Sequence, residues 1–367
     1  LNTPGTAGNR QVILENGGTG MRILKIGNLT VCPPVLSAPM AGFTNYAYRE
    51  VLRLLGGVGL ITTEMVSARS FVYMDAEGSE HPDRLWGVRT EPRPLAVQIW
   101  DNDPETLAET AKKLVQDYQV SVIDMNFGCP AARIAGKSLS GSYLLRDPQK
   151  VGDLVTQTVR VCFPTPVTAK IRLGLTADSI NAIDVAQAVE AAGASALTIH
   201  GRTAKQMYTG KADWLEIARI KPFLKRIPLI GNGDIRSWQE AVDRFRNFPV
   251  DGIMIGRGGL DRPWIFRQIA EALENRPVEP DLTIPEQKKL LIYHFNLVIQ
   301  RFGESRAVVL MRRYACNYSK GKPGGRVFRD KISRVATSQE FMKMIDEYFA
   351  DIETAGLNGE FPQKNDR

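Results

Sequence analysis

Cys129 stands between Gly128 and Pro130 in the run MNFGCP (125–130), followed by AARIAGKSLSGSYLL (131–145). The spacing puts a lone thiol on a stiff turn that glycine lets approach another surface, with a glycine- and serine-rich loop behind it. Further residues able to do chemistry close a series of short apolar runs: Pro39-Met40-Ala41, Glu64, Gln98, Asn126, Lys170, His200 with Arg202, Asn232-Gly233-Asp234, and Gly256-Arg257. Each has a structural explanation when taken alone. Gln98 can cap a strand, Lys170 can pair with a core carboxylate, and His200 can be a hydrogen-bonded core histidine. Their shared placement at the ends of successive runs is the informative feature.

The elements that must position them come in a regular rhythm. Apolar runs at 34–40, 58–65, 95–100, 120–128, 167–174, 196–202, 227–234 and 251–258 are mostly continuous, as strands covered on both faces should be. Between them lie helical stretches. Residues 103–118 and 147–162 each open on Asp-Pro, and 178–193 closes on glycine. Eight strand–helix units predict an α/β fold, a (β/α)8 TIM barrel. A doubly wound open sheet is the runner-up, but no G-x-G-x-x-G follows the first strand. Barrel active sites lie at the C-terminal ends of the strands, which is where the polar residues collect.

Composition narrows the chemistry. Apolar residues make up 43% and charged residues 24% of 367, ordinary for a globular chain. No apolar run approaches the roughly 18–20 residues of a membrane span. The opening twenty residues lack the basic-then-apolar layout of a secretion signal and read as a flexible extension. Four widely spaced cysteines without a C-x-x-C pair point to a reducing, cytoplasmic setting. Three histidines are too few for a multi-ligand metal hydrolase, and Glu64 and Asp234 are thin grounds for a glycosidase. GNGD (231–234) and GRGG (256–259) close the last two strands, where barrels often hold a phosphate through backbone N–H groups and arginine. With Lys170 able to offset charge on an electron-accepting ring, and Gln98 and Asn126 able to meet an imide edge, the rim suits FMN better than a nicotinamide dinucleotide.

In order and spacing, APMAGFTNYAYR (38–49), VQIW (97–100), MNFGCP, AKIRLG (169–174), TIHGRT (198–203), GNGDI (231–235) and MIGRG with RPWIF (254–258, 262–266) resemble the tRNA-dihydrouridine synthases. The resemblance implies an FMN-dependent oxidoreductase that reduces the C5–C6 bond of uridines in tRNA, in the D-loop, with NADPH or NADH as reductant. It implies that Pro39, Met40 and Ala41 line the flavin, Gln98 bonds its pyrimidine portion, and Lys170 sits at its N1/O2 edge. His200 then contacts the ring or phosphate side, and Asn232, Gly233, Asp234, Gly256 and Arg257 hold the ribityl phosphate. Cys129 becomes the general acid at C5, with Asn126 and Arg202 on the substrate side. An unperturbed thiol titrates at roughly 8.5, so it is mostly protonated at neutral pH. The loop at 131–145 is expected to cover a flipped base, with Arg133 and Lys137 on RNA phosphates. The other cysteines, Cys32, Cys162 and Cys316, are expected to be inert and buried. The alternative is an FMN-dependent small-molecule reductase of the dihydroorotate dehydrogenase type.

After the barrel (21–280) comes a proline-rich polar linker, ENRPVEPDLTIPEQ (274–287), and then helical patterns at 286–303, 304–321 and 338–356. Residues 301–334 carry ten Lys/Arg against Glu304 and Asp330, a local +8 in a chain of net +7, so the remainder sums to −1. A small helical bundle (281–357) with this basic face, followed by a tail (358–367), fits a tRNA-binding domain using Arg312 and Arg313. Tyr314, Tyr318 and Phe328 either stack on RNA or form the bundle core. No protein partner is inferred.

Overall fold

Strands covered on both faces sort their side chains by twos, one set inward and the next outward. In the computed structural model, which describes residues 22–78 and 83–357, that sorting builds a closed barrel. The expected extension at 1–20 and tail at 358–367 lie outside the described residues. The strands are β1 (Val35–Ser37), β2 (Ile61–Thr62), β3 (Leu95–Trp100), β4 (Val122–Phe127), β5 (Val167–Arg172), β6 (Ala196–His200), β7 (Leu229–Asn232) and β8 (Gly252–Ile255). All pair in parallel in the order β1-β8-β7-β6-β5-β4-β3-β2. A bridge between Leu36 and Leu60, with the Ser37 amide donating to the Leu60 carbonyl at 3.0 Å, returns β2 to β1.

Around the barrel stand α1 (Tyr46–Leu55), α2 (Ala68–Ala76), α3 (Pro104–Gln116), α4 (Pro148–Cys162), α5 (Ala182–Ala191), α6 (Trp214–Ile220), α7 (Trp238–Asn247), α8 (Arg257–Asp261) and α9 (Ile265–Leu273). The Asp-Pro starts work as the residue types require: Asp103 and Asp147 accept from the Thr106 and Lys150 amides, and proline occupies the first turn. Outward strand residues such as Val97, Ile99, Ile123, Met125, Ala169 and Ile199 pack against these helices in one large core. The inward residues nearest the strand starts, among them Leu36, Ala96, Val122, Ala196, Ile230 and Met254, form a separate apolar cluster. A hairpin of Leu24–Ile26 and Leu29–Val31 adds Leu24, Ile26 and Val31 to that cluster and seals the barrel floor. Above that cluster the inward residues become polar, beginning with Thr168 and Asp124.

The chain then enters α10 (Ile284–Tyr318), α11 (Gly325–Ile332) and α12 (Ser338–Leu357). Gly303, at φ 73° and ψ 169°, breaks α10 into two helical halves at the boundary the sequence predicts. The stretch at 274–287 is no free linker. Asp281 accepts from Trp264 Nε1 at 2.9 Å and Gln268 Nε2 at 3.1 Å, and the Glu279 amide donates to Glu271 at 2.9 Å. Tyr314, Tyr318 and Phe328 are all core, each at most 3% exposed. The bundle docks on the first strand–helix unit and on the connection before β3: Tyr314 stacks on Tyr48, its hydroxyl donates to the Phe43 carbonyl, and Phe302 meets Trp86 edge-on. Among the described residues no helix is long and apolar enough to cross a membrane.

Arg49 of α1 ties this corner together. Its side chain is fully buried, donating to Glu91 Oε2 at 2.8 Å, the Thr44 carbonyl at 2.7 Å and the Trp86 carbonyl at 2.9 Å. Glu91→Ala strands a buried guanidinium and is expected to lower unfolding free energy by about 3–5 kcal/mol in denaturant titration. A loss below about 1 kcal/mol would mean that Arg49 reaches water.

Candidate active site

A cavity of about 410 Å³ opens at the C-terminal end of the barrel. Its wall includes Pro39, Met40, Ala41, Gln98, Asn126, Cys129, Lys170, His200, Asn232, Gly233, Asp234, Gly256 and Arg257, brought together from the ends of most of the strands and the loops behind them. Strand register accounts for the assembly. Gln98 is level with Asp124, Asn126 with Lys170, Arg172 with His200, and His200 with Asn232.

Behind Cys129 runs a buried chain of polar groups. Asp124 accepts from Thr168 Oγ1 at 2.7 Å and from Gln98 Nε2 at 2.7 Å. Gln98 Oε1 accepts from Asn126 Nδ2 at 2.8 Å. Asn126 Oδ1 accepts from the Gly128 and Cys129 amides at 3.0 and 2.9 Å. Burial pushes Asp124 up to about 6, against the Thr168 and Gln98 bonds and nearby Lys170. The turn is held from outside as well: Arg172 Nε donates to the Gly128 carbonyl at 2.9 Å and the Ser142 amide to the Cys129 carbonyl at 3.0 Å. At Gly141, φ 58°, a Cβ would lie 2.7 Å from the Cys129 carbonyl oxygen, so the loop can close on this turn only through glycine. Burial pushes the Cys129 thiol up, with the Ala131 amide, Arg172 and Lys170 pulling the other way. The thiol therefore keeps its proton at neutral pH.

The opposite wall is cationic. Lys170 donates to Asn232 Oδ1 at 3.1 Å, and burial, then Arg172, brings it down to about 8. His200 is held neutral by burial and by the surrounding Lys170, Arg172, Arg202 and Arg257. Asp234, in the left-handed region at φ 47°, accepts from Arg257 Nη2 at 3.2 Å. Burial opposes its ionisation, yet hydrogen bonds from Arg202 and the Ala212 amide leave it below the usual carboxylate range. Among the described residues no group of three or more His, Cys, Asp or Glu could hold a metal ion.

Several predicted residues sit elsewhere. Arg202 is 2% exposed and spent on Asp234 (2.9 and 2.7 Å), His200 Nε2 (3.3 Å), Thr209 O and Gly210 O, so it braces the wall from behind and has no donor for a substrate. Arg312 donates to the Val335 carbonyl and serves the bundle. Arg313 is exposed, and a Cβ added to Gly42 beside the cavity would lie 2.6 Å from its Nη1. Arg133 and Lys137 are exposed on a π-helical segment, Ala132–Lys137, outside the cavity wall. Glu64 accepts from the Gly42 amide at 2.8 Å and supports the first loop. Cys32 is exposed, Cys316 half-buried and only Cys162 buried. Cys32 lies in the connection from the floor hairpin to β1, at the edge of the core rather than within it.

Sequence reasoning passed over Asp124, Arg172, Met207 and Tyr208. Asp124 and Arg172 lie two residues from Asn126 and Lys170, the spacing that returns a strand to the same face. Arg172 also donates to the Thr203 and Met207 carbonyls at 2.9 and 2.8 Å. The Tyr208 ring lies 4.8 Å from the Arg257 guanidinium at the cavity mouth.

The family model described as dihydrouridine synthase (Dus) matches residues 36–353. A probable tRNA-dihydrouridine synthase of Rickettsia prowazekii is 32% identical over 330 residues, covering 90% of this chain and 98% of its own. The tRNA-dihydrouridine synthase B of Pseudomonas aeruginosa is 34% identical over 345 residues, covering 92% and 98%. Among solved structures, TcOYE with pHBA matches at TM-score 0.50 and 12% identity, covering 71% of this chain and 94% of that one. Histamine dehydrogenase from Rhizobium sp. 4-9 matches at TM-score 0.53 and 12% identity, covering 76% and 50%. At that identity the two structures speak for the barrel fold alone.

Lys170 gives the site a pH signature. Its folded value, about 8, lies below its ordinary 10.5, so the unfolded chain binds more protons between them. Unfolding free energy of the ligand-free protein should therefore rise with pH across that window, and Lys170→Met should lack that rise. Equal slopes in both proteins would assign the titration elsewhere.

Proposed function

We propose, since this chain belongs to the dihydrouridine synthase family, that it is a tRNA-dihydrouridine synthase, an FMN-dependent oxidoreductase reducing the C5–C6 bond of D-loop uridines with NADPH or NADH. Most weight rests on one observation: a thiol that burial keeps protonated shares a cavity with a half-buried lysine that donates to a neutral amide. A proton donor and a cation on one cavity suit a reaction that adds a proton to carbon while negative charge is held nearby.

The donor set fits FMN. Among the described residues lining the cavity are four cations (Lys170, Arg172, Arg236 and Arg257) and one carboxylate, Asp234, already committed to arginine. Such a cavity favours an anion. Arg257 and Arg236, with Gly233, Gly256 and Gly258, would hold the phosphate. Gln98 keeps one amide N–H beyond its bond to Asp124 for a ring carbonyl, Lys170 would hold positive charge at the pyrimidine edge, and Pro39, Met40 and Ala41 supply the apolar wall. When bound and reduced by NADPH or NADH, FMN would supply hydride to C6 of the uracil. Cys129 gives the proton to C5, Asn126 holds the Cys129 turn, and Arg172 keeps that turn against the loop carrying Tyr208.

The RNA grip is electrostatic. With Tyr314, Tyr318 and Phe328 committed to the core, the bundle offers exposed Arg313, Lys320, Arg326, Lys331 and Arg334. Arg313, beside Gly42, extends this basic face to the cavity mouth. Removing residues 281–367 would not separate RNA binding from chemistry, because α10 shares a core with α1. Charge changes do separate them.

With unmodified tRNA transcripts and NADPH, the protein should form dihydrouridine at discrete positions mapped by mass spectrometry. Cys129→Ala should keep flavin and tRNA binding and lose about 10²–10⁴-fold in turnover; near-normal product from that variant would remove the thiol from the mechanism. Arg313→Glu with Arg326→Glu should weaken tRNA binding and reduce its salt slope by about one per lost phosphate contact, with flavin content unchanged. Affinity unchanged at both low and high salt would put the grip elsewhere.

A further inference from the structure

Asp124 takes no part in the chemistry proposed above, yet it is 3% exposed inside the barrel and hydrogen-bonded on both oxygens. An ionised carboxylate only accepts, so Gln98 must face it with the amide nitrogen. That choice turns the Gln98 oxygen toward Asn126, which answers with its own nitrogen at 2.8 Å. Asn126 then has only its oxygen left for the turn, and oxygen is what the turn requires, since the Gly128 and Cys129 amides both donate to it. Either amide could be built the other way round. A carboxylate at one end and two N–H donors at the other permit a single polarity.

We propose that Asp124 is a positioning residue: it sets the direction of the Gln98–Asn126 relay and thereby fixes the turn that carries Cys129. The importance of that turn rests on the functional reading above; the relay itself does not. Because the carboxylate lies two hydrogen-bonded side chains away from the thiol turn, its influence travels through donor–acceptor order rather than contact.

Asp124→Asn isolates the effect. The new side chain keeps the size of the old one and, through its oxygen, the Thr168 bond, but presents NH₂ to Gln98. Gln98 turns round, Asn126 must follow, and an NH₂ group then faces the two turn amides. Asn126→Asp alone puts carboxylates on both sides of Gln98, which can satisfy one. Combining Asp124→Asn with Asn126→Asp reconnects everything. The amide introduced at position 124 donates to the Gln98 oxygen, and the Gln98 nitrogen donates to the carboxylate introduced at position 126. That carboxylate in turn accepts both turn amides.

The test is the rate of Cys129 alkylation by iodoacetamide in the purified, flavin-containing protein, resolved by peptide mass spectrometry with Cys32 as internal control. A loosened turn exposes the thiol, so Asp124→Asn should react about tenfold faster, the size of one lost hydrogen bond, and Asn126→Asp should be accelerated less, because its new carboxylate disfavours the thiolate. The double variant should return to within about threefold of the parent protein. Additive or greater acceleration in the double variant overturns the relay, because mere loss of packing adds. Should Asp124→Asn not fold, the double variant decides alone: a folded protein with parental reactivity supports the relay, and a second failure to fold overturns it. Turnover on tRNA enters neither arm, so a protein inactive on tRNA would defeat the functional reading and leave the relay standing.

Discussion

A polar group inside a strand barrel has no water to fall back on, so each donor must find an acceptor among its neighbours. That requirement governs the upper half of this barrel. The lower half is filled with aliphatic side chains, and the upper half is filled with groups that satisfy one another: Thr168 with Asp124, Asp124 with Gln98, Gln98 with Asn126, Lys170 with Asn232, and Arg202 with Asp234. What remains unsatisfied faces the cavity, and those leftover valences define what it can take: Lys170's spare donors, one Gln98 N–H, the Arg257 guanidinium and the Cys129 thiol.

The barrel was legible in the sequence because its signals are local. Asp-Pro pairs mark helix starts through a capping carboxylate and a ring that needs no donor, and apolar runs of strand length alternate with them. Gly303, too, announces its break in the sequence. Less legible was which strand-end residues are spent on one another. Arg202 and Asp234 are 32 positions apart and pair because β6 and β7 are neighbours, so an arginine that looks available from its motif is consumed. Asp124 and Arg172 were within reach of the period-two rule but lay inside runs read as continuously apolar. A polar, proline-rich composition at 274–287 describes a free linker and a pinned strap equally well; the pins, Trp264 and Gln268, come from a helix the composition does not mention.

The helical bundle and the barrel are one packed body. Tyr314 touches Tyr48, His294 and Phe43, and its hydroxyl reaches the carbonyl of the loop that forms one cavity wall. Exposed Arg313, one residue before Tyr314, is thereby held beside Gly42 next to the cavity. Arg172 plays the matching role on the far side, joining the Gly128 carbonyl to those of Thr203 and Met207, so that the turn bearing the thiol and the loop bearing Tyr208 share one fastening.

The hairpin at Leu24–Val31 closes the barrel from below. Among the described residues a vessel stoppered at its base opens at the top, and under the proposed chemistry both the nicotinamide that delivers electrons and the base that receives them come through that opening. Two-substrate kinetics should then follow a shuttle in which the first visitor leaves before the second arrives, and a surplus of either obstructs the other.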